Sequence, residues 1–185
     1  MSRIPPRPAT YADLEALPAN QVGEIIDGVL YASPRPATPH AFAATGLAAK
    51  VGGPFGFSDD PGGWIILIEP ELHLGPQVMV PDLAGWRRTR MPQPPDTAAI
   101  SLPPDWLCEV LSPSTMRLDR RHKLPVYAQA GVTHVWLLEP IERTLEIFAL
   151  DGATYRLIAI AADAECGRFA PFEAIELELP ALWRR

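Results

Sequence analysis

Two acids and one lysine are the residues of this chain whose types and spacing could do chemistry. Asp82 follows a proline at the end of an apolar run, Glu109 lies inside a second apolar run, and Lys123 comes soon after. Carboxylates are the ligands that Mg²⁺ prefers, and a bound ion can neutralise a phosphate and activate water. A neighbouring ammonium can orient that water or stabilise developing negative charge. The set therefore favours metal-assisted cleavage of a phosphodiester bond.

Glu109 is the more unusual of the two acids, because its neighbours on both sides are apolar. The run Trp-Leu-Cys-Glu-Val-Leu at residues 106–111 has the composition of a buried strand. An unpaired buried carboxylate is costly, so Glu109 needs a cation, a hydrogen-bond network or a metal. A structural ion pair is the alternative for Glu109, and a turn cap is the alternative for Asp82.

Lys123 stands out through residue usage. The chain has fourteen arginines and only two lysines, Lys50 and Lys123. A lysine that persists against this bias can be needed for its compact ammonium and adjustable pKa. The alternative is an ordinary solvated lysine on a helix.

Several other candidates are weaker. His40 stands at a predicted helix start, where a lone histidine is more often structural than catalytic, and the remaining histidines lack zinc-ligand spacing. The glycine-rich stretch 52–63, expected to be a mobile loop, lacks the phosphate-binding P-loop pattern. Two groups of arginines could contact phosphates or form a solvated basic face: Arg87, Arg88 and Arg90, and Arg117, Arg120 and Arg121.

Composition limits the classes of protein to which the chain can belong. Its 185 residues predict one domain over residues 1–185, and a net charge of −6 argues against a broad basic surface for nucleic acid. Two cysteines fit a reducing compartment. We find neither a signal-peptide pattern nor an apolar stretch of membrane-spanning length, so we expect a cytoplasmic protein with no membrane partner.

The element pattern predicts a mixed α/β domain with a central sheet. Proline-rich residues 1–9 are expected to form a flexible arm. Residues 22–26 and 29–32, joined by Asp27-Gly28, predict a hairpin. Other predicted strands span residues 64–68, 71–74, 78–86, 106–111, 133–138 and 175–179, with a second hairpin over residues 144–150 and 154–161. Predicted helices span residues 10–17, 38–51 and 119–130, the last containing Pro125, which would kink it or delay its start to about residue 123.

A wider series of residues carries a family resemblance. It comprises Glu-Ile-Ile-Asp-Gly at 24–28, Val-Pro-Asp at 80–82, Glu-Val-Leu-Ser-Pro-Ser-Thr at 109–115, Asp119, Lys123, Tyr127, Gly-Val at 131–132 and Val-Trp-Leu at 135–137. The series resembles the Uma2 family (DUF820), best over residues 11–150. That family is described as restriction-endonuclease-like and belongs to the PD-(D/E)xK nuclease superfamily. The resemblance implies a restriction-endonuclease-like fold, a mixed central sheet flanked by helices.

The resemblance also implies roles for individual residues. Asp82 and Glu109 would bind Mg²⁺ or Mn²⁺, and Glu24 would add an acid, unless it is a solvated or hairpin-pairing residue. The superfamily motif has a lysine two residues after the second acid, but here that residue is Leu111. Lys123 would supply the ammonium instead.

The implied function is a metal-dependent endonuclease acting on nucleic acid, with DNA favoured. A homodimer is also expected, with the predicted hairpin at 144–161 as a candidate contact surface. Two alternatives remain open: a catalytically silent nuclease-like fold that binds nucleic acid or another partner, and a hydrolase of small phosphorylated molecules.

Overall fold

The computed structural model describes residues 7–183. The first six residues of the predicted N-terminal arm lie outside the described residues. The end of the arm contacts the first hairpin, because the Ala9 N–H donates to the Gly28 carbonyl oxygen at 2.8 Å. Within the described range, no helix is both long and apolar enough to cross a membrane.

Thirteen strands and eight helical segments follow one another along the described chain. The strands are β1 (Gln21–Ile26), β2 (Val29–Pro34), β3 (Trp64–Ile68), β4 (Glu71–Leu74), β5 (Gln77–Met79), β6 (Leu83–Arg87), β7 (Ala99–Ile100), β8 (Trp106–Val110), β9 (His134–Glu139), β10 (Thr144–Asp151), β11 (Thr154–Ala162), β12 (Cys166–Gly167) and β13 (Leu177–Glu178). The helices are α1 (Tyr11–Glu15), α2 (Thr38–Leu47), α3 (Gly53–Gly56), α4 (Met116–Leu118), α5 (Leu124–Gln129) and α6 (Pro180–Trp183), with π-helical segments π1 (Ala48–Gly52) and π2 (Asp119–Lys123).

Two mixed sheets and one short pair contain these strands. The larger sheet has the order β11-β10-β9-β8-β6-β3, and the smaller one β2-β1-β5-β4-β7. Strands β8 and β9 are parallel, as predicted for a strand–helix–strand unit, while β6 is antiparallel to β8. Both predicted hairpins are present, β1–β2 and β10–β11. The mixed α/β architecture with a central sheet is therefore confirmed.

Alternation along β8 decides which way its acid points. Trp106, Cys108 and Val110 belong to a buried cluster that also contains residues of α2 and α6. Leu107 belongs to a second buried cluster, on the face against which α5 packs. Successive side chains of a strand point to opposite faces. Glu109 therefore points toward the segment that carries π2 and α5.

The strand predicted over residues 78–86 is wrong as a single element. The structure has β5 and β6 there, in different sheets, separated by Val80, Pro81 and Asp82. Proline has no N–H to donate to a sheet ladder, so the strand cannot continue through Pro81. The break places Asp82 at the point where the chain passes from one sheet to the other.

Other predicted boundaries also differ from the structure. The helix predicted over residues 119–130 begins earlier, at Met116, and includes a π-helical turn before Pro125. Part of the predicted loop at 52–63 is helical, because Phe55 is buried in the core and anchors α3. The strand predicted over residues 175–179 is reduced to β13.

Candidate active site

Lys123 lies at the centre of a buried acidic cluster. Its Nζ is 2.9 Å from Glu24 Oε1, 3.2 Å from Glu109 Oε1 and 3.4 Å from Asp119 Oδ1. The four residues are between 2% and 6% exposed, so water screens these charges only weakly. Burial opposes the charged ammonium, but the three carboxylates hold the pKa of Lys123 well above its ordinary value. The charged form of Lys123 is therefore favoured here.

Each acid around Lys123 comes from a different part of the chain. Glu24 is on β1, where its Oε1 also accepts a hydrogen bond from the Val80 N–H at 2.9 Å. Glu109 is on β8, and Asp119 is four residues before Lys123 in π2. A hairpin strand, a central strand and a helix thus meet at one ammonium. The solvated alternative for Glu24 is excluded by its burial and these two contacts.

Glu109 has a second partner, the Tyr127 hydroxyl of α5, which donates a short hydrogen bond to its Oε1. Burial raises the pKa of Glu109 well above the ordinary value, and the negative charges of Asp119, Asp82 and Glu24 add to this against the opposing charge of Lys123. Burial similarly raises the pKa of Asp119. The cluster therefore has more acidic groups than Lys123 can compensate, and the raised pKa of Glu109 favours its neutral form when no further cation is present.

Asp82 sits beside this cluster and is held through both oxygens. Its Oδ2 accepts a hydrogen bond, 2.7 Å long, from the N–H of Val110. Val110 is the residue that follows Glu109 in the chain. The Oδ1 of Asp82 is 3.2 Å from His40 Nε2 on α2. Burial alone would lower the pKa of His40, but the hydrogen bond and charge of Asp82 raise it above the ordinary value. Asp82 is thus fixed against the end of β8.

These side chains line a cleft of about 330 Å³. That volume lies at the small end of ligand clefts and suits a group the size of a nucleotide. Its walls include the Pro-Arg-Pro turn at residues 34–36 and the Ser-Pro-Ser-Thr turn at residues 112–115. The carboxylates, Lys123 and His40 therefore line one cleft.

A third basic residue, Arg35, lines the cleft together with Lys123 and His40. Its side chain is exposed. The arginines singled out from the sequence do not line this cleft. Four of them have structural partners. Arg88 donates hydrogen bonds to the carbonyl oxygens of Pro92 and Gly56. Arg90 pairs with Asp105, Arg87 stacks over Trp64, and Arg120 binds Glu146 through two hydrogen bonds.

The donors suit a divalent cation by chemical type. The cluster offers hard carboxyl oxygens and more acids than the one buried ammonium can compensate, which suits Mg²⁺ and Mn²⁺. Within residues 7–183, the buried Oδ1 of Asp119 has no hydrogen-bond partner, only its ion pair with Lys123. In the same range no three His, Cys, Asp or Glu side chains are arranged around a metal-sized space. The donor atoms of these residues are of the kind that a divalent cation prefers. In this structure the ammonium of Lys123 lies among the carboxylates.

The chain resembles known proteins in both sequence and fold. The profile of the Uma2 family, described as "Putative restriction endonuclease", matches residues 8–180. The chain belongs to the Uma2 family. It is also similar in structure to a "putative nuclease belonging to DUF820" from Anabaena variabilis ATCC 29413, with a TM-score of 0.77 and 18% sequence identity. That similarity covers 95% of this chain and 98% of the other, and it confirms the fold. No curated protein matches the chain.

The structure brings together all four residues singled out from the sequence: Glu24, Asp82, Glu109 and Lys123. Sequence reasoning gave no role to three further residues of this Uma2 site, namely Asp119, Tyr127 and Arg35. Spacing carried a signal for the first two, because Asp119 and Tyr127 lie four residues before and after Lys123, on one face of a helix. No comparable signal marked Arg35, because its place depends on how the loop after β2 folds.

Proposed function

We propose that this Uma2 protein is a metal-dependent endonuclease that hydrolyses phosphodiester bonds, with DNA as the favoured substrate. The observation that carries the proposal is the arrangement at the cleft, where buried carboxylates in excess surround one buried ammonium. Structural ion pairs are usually balanced in charge, because uncompensated buried charge is costly. An excess of acids beside an opening suits a cation that arrives with a substrate.

Asp82 and Glu109 would hold the Mg²⁺ or Mn²⁺ ion, with Asp119 and Glu24 available beside them. When bound, the ion supplies charge neutralisation at the scissile phosphate and acidifies a water molecule. Lys123 donates hydrogen bonds from a rigid position, which suits it to orient the attacking water or to stabilise charge on the phosphoryl oxygens. Water then adds to phosphorus, the bond to the leaving oxygen breaks, and that oxygen takes up a proton.

His40 and Tyr127 position the acids in this scheme. His40 holds one oxygen of Asp82, and the Tyr127 hydroxyl holds one oxygen of Glu109. A catalytic carboxylate must be fixed within a fraction of an ångström, so such partners matter for the rate. The cytoplasmic location and the homodimer through the β10–β11 hairpin remain predictions.

Replacing Arg35 with alanine is expected to raise KM about 3- to 10-fold and to leave kcat nearly unchanged, since an exposed phosphate contact contributes about 1 kcal/mol. The dependence of KM on salt should also weaken, because one fewer phosphate is neutralised. Steady-state cleavage at several salt concentrations measures both quantities. Arg143→Ala, an exposed change in the β9–β10 turn, is the control. An equal change in both variants would rule out the phosphate contact.

Incubation with plasmid, linear and single-stranded DNA, each with Mg²⁺ or Mn²⁺, tests the activity itself. We expect cleavage by the wild-type protein that stops when EDTA is added and in the Asp82→Asn and Lys123→Met variants. Cleavage that survives both substitutions would remove this site from the mechanism. Hydrolysis of mononucleotide phosphodiesters with none of any polynucleotide, RNA included, would instead favour the small-molecule hydrolase.

A further inference from the structure

Two π-helical segments lie within residues 7–183, and they share a feature of sequence. Segment π1 ends at Gly52 and is followed two residues later by Pro54, while π2 ends at Lys123 and is followed two residues later by Pro125. Each proline lies in the first turn of the α-helix that follows. One of these segments carries site residues and the other does not.

The chemistry of proline explains why the helix widens before Pro125. The Leu124 N–H donates to the Asp119 carbonyl oxygen, five residues back, which is the π-helical bond. In a regular α-helix the ring of Pro125 would clash with the carbonyl of residue 121, and Pro125 has no N–H to bond it. A wide turn just before the proline relieves that clash. The carbonyl oxygen left without a helical hydrogen bond is then one that Pro125, which has no N–H, could not have bonded.

The wide turn has Asp119 and Lys123 as its first and last residues. Both are buried and both belong to the acidic cluster. The helix after the turn is anchored by buried Val126 and Tyr127. Because α5 is anchored in this way, the form of the turn affects where Asp119 and Lys123 point. A change from the wide to the regular form would rotate the preceding residues by about 100°, the angle of one residue in an α-helix.

We propose that Pro125 is a positioning residue that keeps the π-helical turn open and thereby directs the ammonium of Lys123 at Glu24 and Glu109. Pro125 is exposed and does not line the cleft. Its effect on cleavage rests on the proposed function. Its effect on the placement of Lys123 does not, and that placement can be measured without any substrate.

The presence of only two lysines makes this measurement direct. Lys50 pairs with Glu178 at the surface and is reachable by an amine reagent, whereas Lys123 is buried. Limited acetylation followed by peptide mass spectrometry gives the labelling ratio of Lys123 to Lys50. We expect Pro125→Ala to raise this ratio at least about tenfold. The control variant Pro95→Ala, which removes an exposed loop proline away from both lysines in sequence, should leave it within twofold of wild type.

A ratio within twofold of wild type in Pro125→Ala, with the protein folded, would overturn the proposal. Folding is confirmed by tryptophan emission and circular dichroism, because global unfolding would expose Lys123 and so raise the ratio by itself. Should Pro125→Ala prove unstable, sodium sulfate, which strengthens burial, allows the same comparison on the folded protein. Pro125→Gly, which also restores the amide, must give the same direction of change.

The labelling result separates this inference from the proposed function. A raised ratio in Pro125→Ala, with no cleavage by wild-type protein on any substrate, would support the positioning role and count against the nuclease. Cleavage by wild type with Lys123 still protected in Pro125→Ala would support the nuclease and remove the positioning role.

Discussion

The Lys123→Met variant is expected to lose about 3–5 kcal/mol of unfolding free energy, the typical cost of breaking a buried ion pair. Methionine keeps an unbranched side chain about as long as the apolar stem of lysine and lacks the ammonium. Glu24, Glu109 and Asp119 would then be buried close together without a cation. Urea unfolding followed by tryptophan fluorescence measures the loss. Cleavage should fall below detection in the same variant.

The other lysine supplies a matched control. Lys50 pairs with Glu178 at a partly exposed surface site, 2.7 Å between Nζ and Oε2. Exposed pairs contribute about 0–1 kcal/mol, so Lys50→Met should change stability by no more than that. Equal losses in the two variants would contradict the buried, unbalanced cluster on which the proposed chemistry depends.

The Glu109→Gln variant is expected to separate stability from activity. The amide oxygen can still accept the hydrogen bonds of Tyr127 and Lys123, and the substitution removes one acid from a cluster whose crowding raises the pKa of Glu109. Stability should therefore stay within about 1 kcal/mol of wild type. Cleavage should fall at least about 100-fold, because a metal ion supplies several kcal/mol of transition-state stabilisation.

The control for this change is Glu142→Gln, the same substitution at an exposed position in the β9–β10 turn. It should alter neither quantity. A Glu109→Gln protein that cleaves at the wild-type rate would show that Glu109 is a structural partner of Lys123 and Tyr127. That outcome would favour the alternative of a nuclease-like fold without catalysis at this site.

The sequence singled out four residues that the structure places at one cleft, for identifiable physical reasons. A carboxylate within an apolar strand must have a partner, and this directed attention to Glu109 before any partner was known. Lysine scarcity marked Lys123. Hairpins with Asp-Gly turns and the parallel β8–β9 pair also followed from local rules, because turn chemistry and crossover length depend on residues near in sequence.

Features that depend on distant contacts were not predictable. The break between β5 and β6 at Pro81 separates two sheets, and the apolar pattern of residues 78–86 looks the same with or without it. The π-helical turn before Pro125 was anticipated only as a kink. Arg35 enters the cleft because the loop after β2 folds toward Asp82 and His40, which no local pattern encodes.

Mn²⁺ binding measured by electron paramagnetic resonance tests the central claim most directly, because it needs no knowledge of the substrate. We expect the wild-type protein to bind Mn²⁺ saturably at this site, with Mg²⁺ competing, and the Asp82→Asn and Glu109→Gln variants to lose that binding. Absence of Mn²⁺ uptake by the folded wild-type protein, or uptake unchanged in both variants, would contradict a metal-dependent site at this cleft.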